Sequence, residues 1–305
     1  MSLRRGRRRW AAGGLLAATL SVMLPAGIRA AVPAKLSIDI NQFDARKKMI
    51  ALPDGESLAY VSWGNPAGKP VVLIHGYTDS ASDWAPLVPY LSKSDRLILV
   101  DIRGHGKSSK PECCYTRFDF AYDVKLLLDA LHIKKADIIG HSLGSYITQT
   151  FAEFWPERTN HVVLIASTAV PPQFDYSPIR NLKEPIDPNS PFMISFWSSP
   201  TAVDPEFLKR KRHEAAAIPL RVWIAVLDQR LGSIDLKSTL PRLKAPVLLI
   251  WGSEDFIMKG QSRDSLRAAL PDAKVKIFDG LGHNPFWEDP AGVADVINSY
   301  LDGPG

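Results

Sequence analysis

Ile138-Ile139-Gly140-His141-Ser142-Leu143-Gly144 sets a G-x-S-x-G pentapeptide directly after a short apolar run and at the start of a helical pattern spanning Leu143–Trp155. Strand, tight turn and helix in that order is the setting in which a serine is held exposed at the top of a sheet. Bulk at Gly140 or Gly144 would collide with neighbouring backbone in so tight a turn. An isolated pentapeptide is common, and an ordinary Gly-Ser turn is the competing reading; the strand and helix around it favour a nucleophile.

Working outward, Val71-Val72-Leu73-Ile74 is a continuous apolar run of the kind that forms a strand buried on both faces. The pattern recurs at Leu97–Val100, Val162–Ile165 and Val247–Ile250, with Val275–Phe278 as a last strand. Lys48–Leu52 and Ser57–Trp63 flank Pro53-Asp54-Gly55-Glu56 and read as a hairpin. Helical patterns fall at Ser82–Leu91, Phe118–Leu131, Leu143–Trp155, Ser262–Leu270 and Pro290–Tyr300. The alternation predicts an α/β fold, a doubly wound, mostly parallel eight-stranded sheet with helices on both faces. It breaks over residues 171–243, where prolines and the aromatics Phe174, Tyr176, Phe192, Phe196, Trp197 and Trp223 accumulate without strand periodicity. That stretch is expected to be a mostly helical insertion between core segments 31–170 and 244–305, its aromatics shared between a small core and a pocket. Phe192, Phe196 and Trp197 are the candidate substrate contacts.

Residues 1–30 carry six arginines and no acid, followed from Trp10 to Leu24 by an apolar run too short for a confident span. The layout is that of an export signal cleaved near Ala30, through either the twin-arginine or the Sec route, so the protein is expected in the periplasm or medium. Setting those six aside leaves 31 basic against 32 acidic side chains, so the formal charge of +5 belongs to the N-terminus alone. Without a broad basic excess a nucleic-acid partner is not expected, nor a stable membrane association once the signal is removed. Cys113 and Cys114, the only cysteines, are neighbours and cannot staple distant segments. Oxidation after export would make them a vicinal disulfide. The short separation of adjacent α-carbons, about 3.8 Å, weighs instead toward two buried thiols.

A serine hydroxyl needs a base, and the base an orienting acid. Downstream of Ser142 stand His161, His213 and His283. His161 opens a strand, and His213 sits in Lys209-Arg210-Lys211-Arg212-His213-Glu214, which reads as a solvated charge run. His283, in a loop between the last strand and last helix, is the candidate base. Glu254 and Asp255 follow the strand Val247–Ile250, and Asp255 is the chosen acid, with a loop cap as its bland alternative. The Leu143 amide supplies one oxyanion donor and the Tyr77 amide, in His75-Gly76-Tyr77-Thr78, the second. His75 and His141 read as polar supports of the site floor, with His141 also placed to touch substrate. No H-x-H, H-E-x-x-H or paired C-x-x-C occurs, and no P-loop or G-x-G-x-x-G follows a strand, so neither metal nor cofactor is implied.

Five pieces, His75-Gly76-Tyr77, Asp101–Ser108, the turn at Ser142, Trp251–Asp255 and Gly282-His283-Asn284-Pro285, together resemble the α/β-hydrolase superfamily in its capped branch. The resemblance implies a cap over the site and a largely structural role for Asp101–Ser108. Ser142 stands where epoxide hydrolases and haloalkane dehalogenases carry aspartate, which argues against those chemistries. The expected activity is hydrolysis of an uncharged, largely apolar carboxylic ester, thioester or lactone through an acyl-enzyme. Alternatives are a carbon–carbon bond hydrolase of ring-cleavage products, with a cation such as Arg221 for the substrate carboxylate, a cofactor-free haloperoxidase-like perhydrolase, and a non-catalytic small-ligand sensor.

Overall fold

The computed structural model describes residues 36–231 and 235–303. The arginine-rich segment and the cleavage site expected at Ala30 lie outside them. Among the described residues no helix is long and apolar enough to cross a membrane.

After a short helix α1 (Ile40–Ala45), the hairpin β1 (Lys48–Ala51) and β2 (Ser57–Gly64) pairs Lys48 with Tyr60 and Ala51 with Ser57. There follow β3 (Pro70–Ile74), β4 (Arg96–Asp101), α2 (Arg117–Ala130), β5 (Ala136–His141), α3 (Leu143–Phe154) and β6 (Thr159–Ile165). The next helices are α4 (Ser177–Arg180), α5 (Pro191–Phe196), α6 (Pro205–Ala216) and α7 (Leu220–Val226). The chain then closes the sheet with β7 (Val247–Gly252), α8 (Gln261–Ala269), β8 (Lys274–Phe278), α9 (Pro285–Glu288) and α10 (Pro290–Leu301). The eight strands lie in the order β1-β2-β4-β3-β5-β6-β7-β8. β2 runs antiparallel to both β1 and β4, and the other adjacent pairs are parallel.

The sequence explains this order. β5 and β7 are buried at every position, the continuous apolar reading of strands covered on both faces. Thr116 and Asp119 close a reciprocal capping box at the start of α2, which fixes where that helix begins after the loop. Because β3, β5, β7 and β8 are parallel, their C-terminal ends share one edge of the sheet. The loops carrying Tyr77, Ser142, Asp255 and His283 therefore emerge together.

The structure corrects three expectations. Ser82–Leu91 forms two 3-10 turns, Ala81–Trp84 and Val88–Tyr90, rather than a helix. Pro86 and Pro89 remove the amide donors that a continuous helix over this stretch would need. The run Lys209–Glu214 is not a solvated face: it lies in α6, whose four-residue spacing turns Phe207, Lys211 and Ala215 inward, and Lys211 is fully buried. Cys113 and Cys114 are joined as a vicinal disulfide on an exposed loop, not buried as two thiols. That loop packs on the helical segment between β6 and β7. Arg221 donates to the Lys110 and Pro111 carbonyls, and the Tyr115 amide donates to Gln229.

Candidate active site

Ser142 caps α3 at φ 49° and ψ −116°, a backbone state that non-glycine residues rarely occupy. The turn around it leaves no room. A Cβ at Gly140 would lie 2.3 Å from the Gly144 carbonyl oxygen, and one at Gly144 would lie 2.1 Å from that of Ile74. The Ser142 amide donates to the Ile165 carbonyl at 2.9 Å, anchoring the turn to β6. Such strain persists only where surrounding structure over-determines it.

Asp255 and His283 form a hydrogen-bonded pair, His283 Nδ1 lying 2.9 Å from Asp255 Oδ2. The other oxygen of Asp255 accepts from the Ile257 and Met258 amides at 2.8 and 2.9 Å. Burial pushes the Asp255 carboxyl up, but the neighbouring His283, its hydrogen bond and the two amides outweigh it and hold the group below the ordinary range. Glu254, the neighbouring acid, is exposed. His283 and Ser142 line one pocket, and the Tyr77 and Leu143 amides donate to no protein group among the described residues. No hydrogen bond links the Ser142 hydroxyl to the imidazole in this state; such contacts commonly tighten only when substrate binds.

Two further histidines hold the loops. His75 Nδ1 lies 2.8 Å from the Gly76 carbonyl, and its Nε2 accepts from the Ile102 amide at 3.2 Å, which fixes one neutral tautomer and the turn leading to Tyr77. Burial lowers its pKa well below the ordinary value. His141 Nε2 donates to the His283 carbonyl at 3.0 Å, and burial together with His283 lowers the His141 pKa to about 3. Asp101, at the end of β4, accepts from the Ala81 and Lys107 amides at 2.7 and 2.8 Å and pairs with Lys47.

The pocket wall is aromatic. Phe196 and Trp197 line it as read from sequence, with His141 at its floor; Phe192 does not, sitting one helical turn back against Phe196 at 5.5 Å between ring centroids. Trp223 lies behind the wall, where its carbonyl accepts from the Tyr77 hydroxyl at 2.7 Å. Arg221 points away, bonded to the cystine loop. Sequence reading missed Asp79, the Phe256–Met258 segment, Asn284 and Trp287, all in the wall. The signal available was position: Asp79 and Phe256 directly follow recognised loop motifs, Asn284 lies inside one, and Trp287 comes two residues after it. Asp79, Asp83 and His141 each present one potential ligand atom within 4.8 Å of the others. The Lys211 ammonium, 3.3 Å from Asp83 Oδ1, already supplies the positive charge there.

Residues 71–296 match the model of the alpha/beta hydrolase family. A 2-hydroxy-6-oxononadienedioate/2-hydroxy-6-oxononatrienedioate hydrolase of Paraburkholderia phymatum is 31% identical over 77% of this chain and 88% of its own. An uncharacterized protein of Mycobacterium tuberculosis is 26% identical over 77% of this chain and 76% of its own. Among solved structures, a membrane phospholipase A described as a bacterial virulence factor superposes with a TM-score of 0.74 at 25% identity, covering 84% of this chain and 86% of that one. Sheet order, the strained serine turn and these similarities agree: the chain belongs to the alpha/beta hydrolase family.

Proposed function

We propose that this protein is a serine hydrolase of uncharged, largely apolar carboxylic esters, thioesters or lactones. The observation that carries the reading is that His283, hydrogen-bonded to the buried Asp255, lines the same aromatic pocket as Ser142. Ser142 attacks the carbonyl carbon while His283 takes its proton. The oxyanion that develops is held by the Tyr77 and Leu143 amides. His283, now cationic and paired with Asp255, returns the proton to the leaving oxygen, or to sulfur in a thioester, as its bond to the acyl carbon breaks, and water repeats the cycle on the acyl-enzyme. Residues 171–243 act as the cap that sets the acyl pocket, and the N-terminal segment is read as directing export.

The dioate hydrolase similarity favours a second reading, cleavage of a carbon–carbon bond in a ring-cleavage product. Such a substrate carries carboxylates, yet no lysine or arginine is among the residues lining the pocket, which instead holds Asp79. The ester reading is therefore preferred. A fluorophosphonate probe and a short-acyl p-nitrophenyl ester test it. Labelling and an initial burst, both lost in Ser142→Ala, are expected. Labelling that persists in that variant refutes the assignment, and turnover confined to a ring-cleavage dioate supports the second reading.

A further inference from the structure

Among the described residues Asp79 is the only carboxylic side chain in the pocket wall, and the hydrolytic steps above do not use it. It lies two residues beyond Tyr77, the loop residue whose amide faces the oxyanion. The side chain is buried, and its Oδ1 has no hydrogen-bond partner among the described residues. Behind it stand Asp83, whose carboxyl oxygens also lack hydrogen-bond partners, and Lys211, 3.3 Å from Asp83 Oδ1. Lys211 is engaged on its other side by Glu214 at 3.0 Å. Glu214 in turn accepts from Arg210, Ser80 and Ser82.

A single shared ammonium thus faces two buried carboxyl groups that have oxygens within 4.8 Å of each other, with the neutral His141 ring alongside. Ionising both without water is costly, and such pairs retain a proton between them. Burial raises both carboxyls, for Asp79 more than Lys211, Asp83 and the Trp197 side chain bring it down, and for Asp83 with the neighbouring Asp79 adding to the rise. A carboxyl that keeps a proton can donate a hydrogen bond as well as accept one.

We propose that Asp79 is the specificity-determining residue of this pocket, hydrogen-bonding a hydroxyl on the acyl part of the substrate, so that hydroxyacyl esters are preferred over plain acyl esters. The inference rests on the serine-hydrolase reading. In that reading the leaving atom faces His283 and the carbonyl oxygen faces the Tyr77 and Leu143 amides, so the acyl chain is the part left to run along the wall that holds Asp79, Phe196 and Trp197. A cationic ligand is disfavoured by Lys211 behind the pair. A hydroxyl, donor and acceptor at once, matches a carboxyl that can play either role.

Ethyl 3-hydroxybutyrate and ethyl butyrate share a leaving group and differ by one hydroxyl, and pH-stat titration gives kcat/KM for both. Buried polar sites discriminate strongly against analogues lacking the partner group. The wild type should prefer the hydroxy ester by about tenfold or more. Asp79→Leu should collapse that ratio toward one, whereas Asp79→Asn, which keeps a donor and an acceptor, should retain part of it. Melting temperatures of both variants establish that each is folded. Equal use of the two esters by wild type, with Ser142 labelled by fluorophosphonate, overturns the proposal and leaves the hydrolase reading standing. Absence of turnover of either ester with Ser142 labelled also overturns it. A ratio that survives in folded Asp79→Leu does the same, and a wild type whose Ser142 does not label loses the hydrolase reading and this inference with it.

Discussion

Asp255→Asn separates the two jobs of one carboxylate. Asp255 Oδ2 accepts from His283 Nδ1, while Oδ1 accepts from the Ile257 and Met258 amides. An asparagine oxygen can keep the two amides, so the loop should stay folded. Its NH2 then faces His283 Nδ1, donor against donor, and the ring must place its proton on Nε2. In that tautomer the imidazole cannot accept the Ser142 proton. The expected loss in kcat is on the order of 10⁴-fold, about 5.5 kcal/mol of transition-state stabilisation. Global stability should change by less than ~1 kcal/mol, because no buried amide is orphaned. Asp255→Ala orphans both amides and should destabilise by about 1–3 kcal/mol in addition to inactivating. Steady-state hydrolysis of a p-nitrophenyl ester and urea unfolding of both variants make the comparison. A loss of activity under tenfold in folded Asp255→Asn would place the orienting acid elsewhere, and equal destabilisation by the two substitutions would refute the division of labour between the oxygens.

Gly144→Ala forces a Cβ to within 2.1 Å of the Ile74 carbonyl oxygen and 2.6 Å of that of His75, backbone atoms that cannot yield, so a loss of about 3 kcal/mol or more and of fluorophosphonate labelling is expected; a stable, labelled variant would contradict the crowding. Glu214 is held at a pKa of about 2, since Lys211 and Arg210 outweigh the upward push of burial. A depressed folded pKa stabilises fully above the unfolded value and loses that contribution as pH falls toward the folded one, so the stability gap between wild type and Glu214→Gln should narrow from about pH 4.5 down to 2. A gap constant across that window in urea titrations contradicts the pairing. The Cys113–Cys114 bond predicts that gentle reduction of denatured monomer adds two hydrogens to the intact mass; two thiols titrating freely in unreduced protein would exclude it.

What the sequence determined by itself is local: which runs are strands, and which loop follows each. Apolar runs at Val71–Ile74 and Val247–Ile250 mark strands buried on both faces because burial leaves no polar alternation, and the residues just past their ends are set by chain connectivity. Ser142 and Asp255 sit one turn beyond such runs, and His283 sits in the loop after the exposed edge strand Lys274–Phe278, so all three candidates could be placed from connectivity, and the parallel sheet brings those loops to one edge. The failures share the opposite property. Ser82–Leu91 has helical spacing of its apolar residues, and its prolines override it. The burial of Lys211 could not be read from a run of charges, because its partner Asp83 lies far away in the chain and meets it only when α6 packs down. Asp79 drew no reading from the sequence, because its environment exists only once Trp197 and Lys211 close around it. Connectivity and periodicity are properties of neighbours along the chain. The desolvation that gives a carboxyl or an ammonium its character depends on what the fold brings against it, and only tertiary structure decides that.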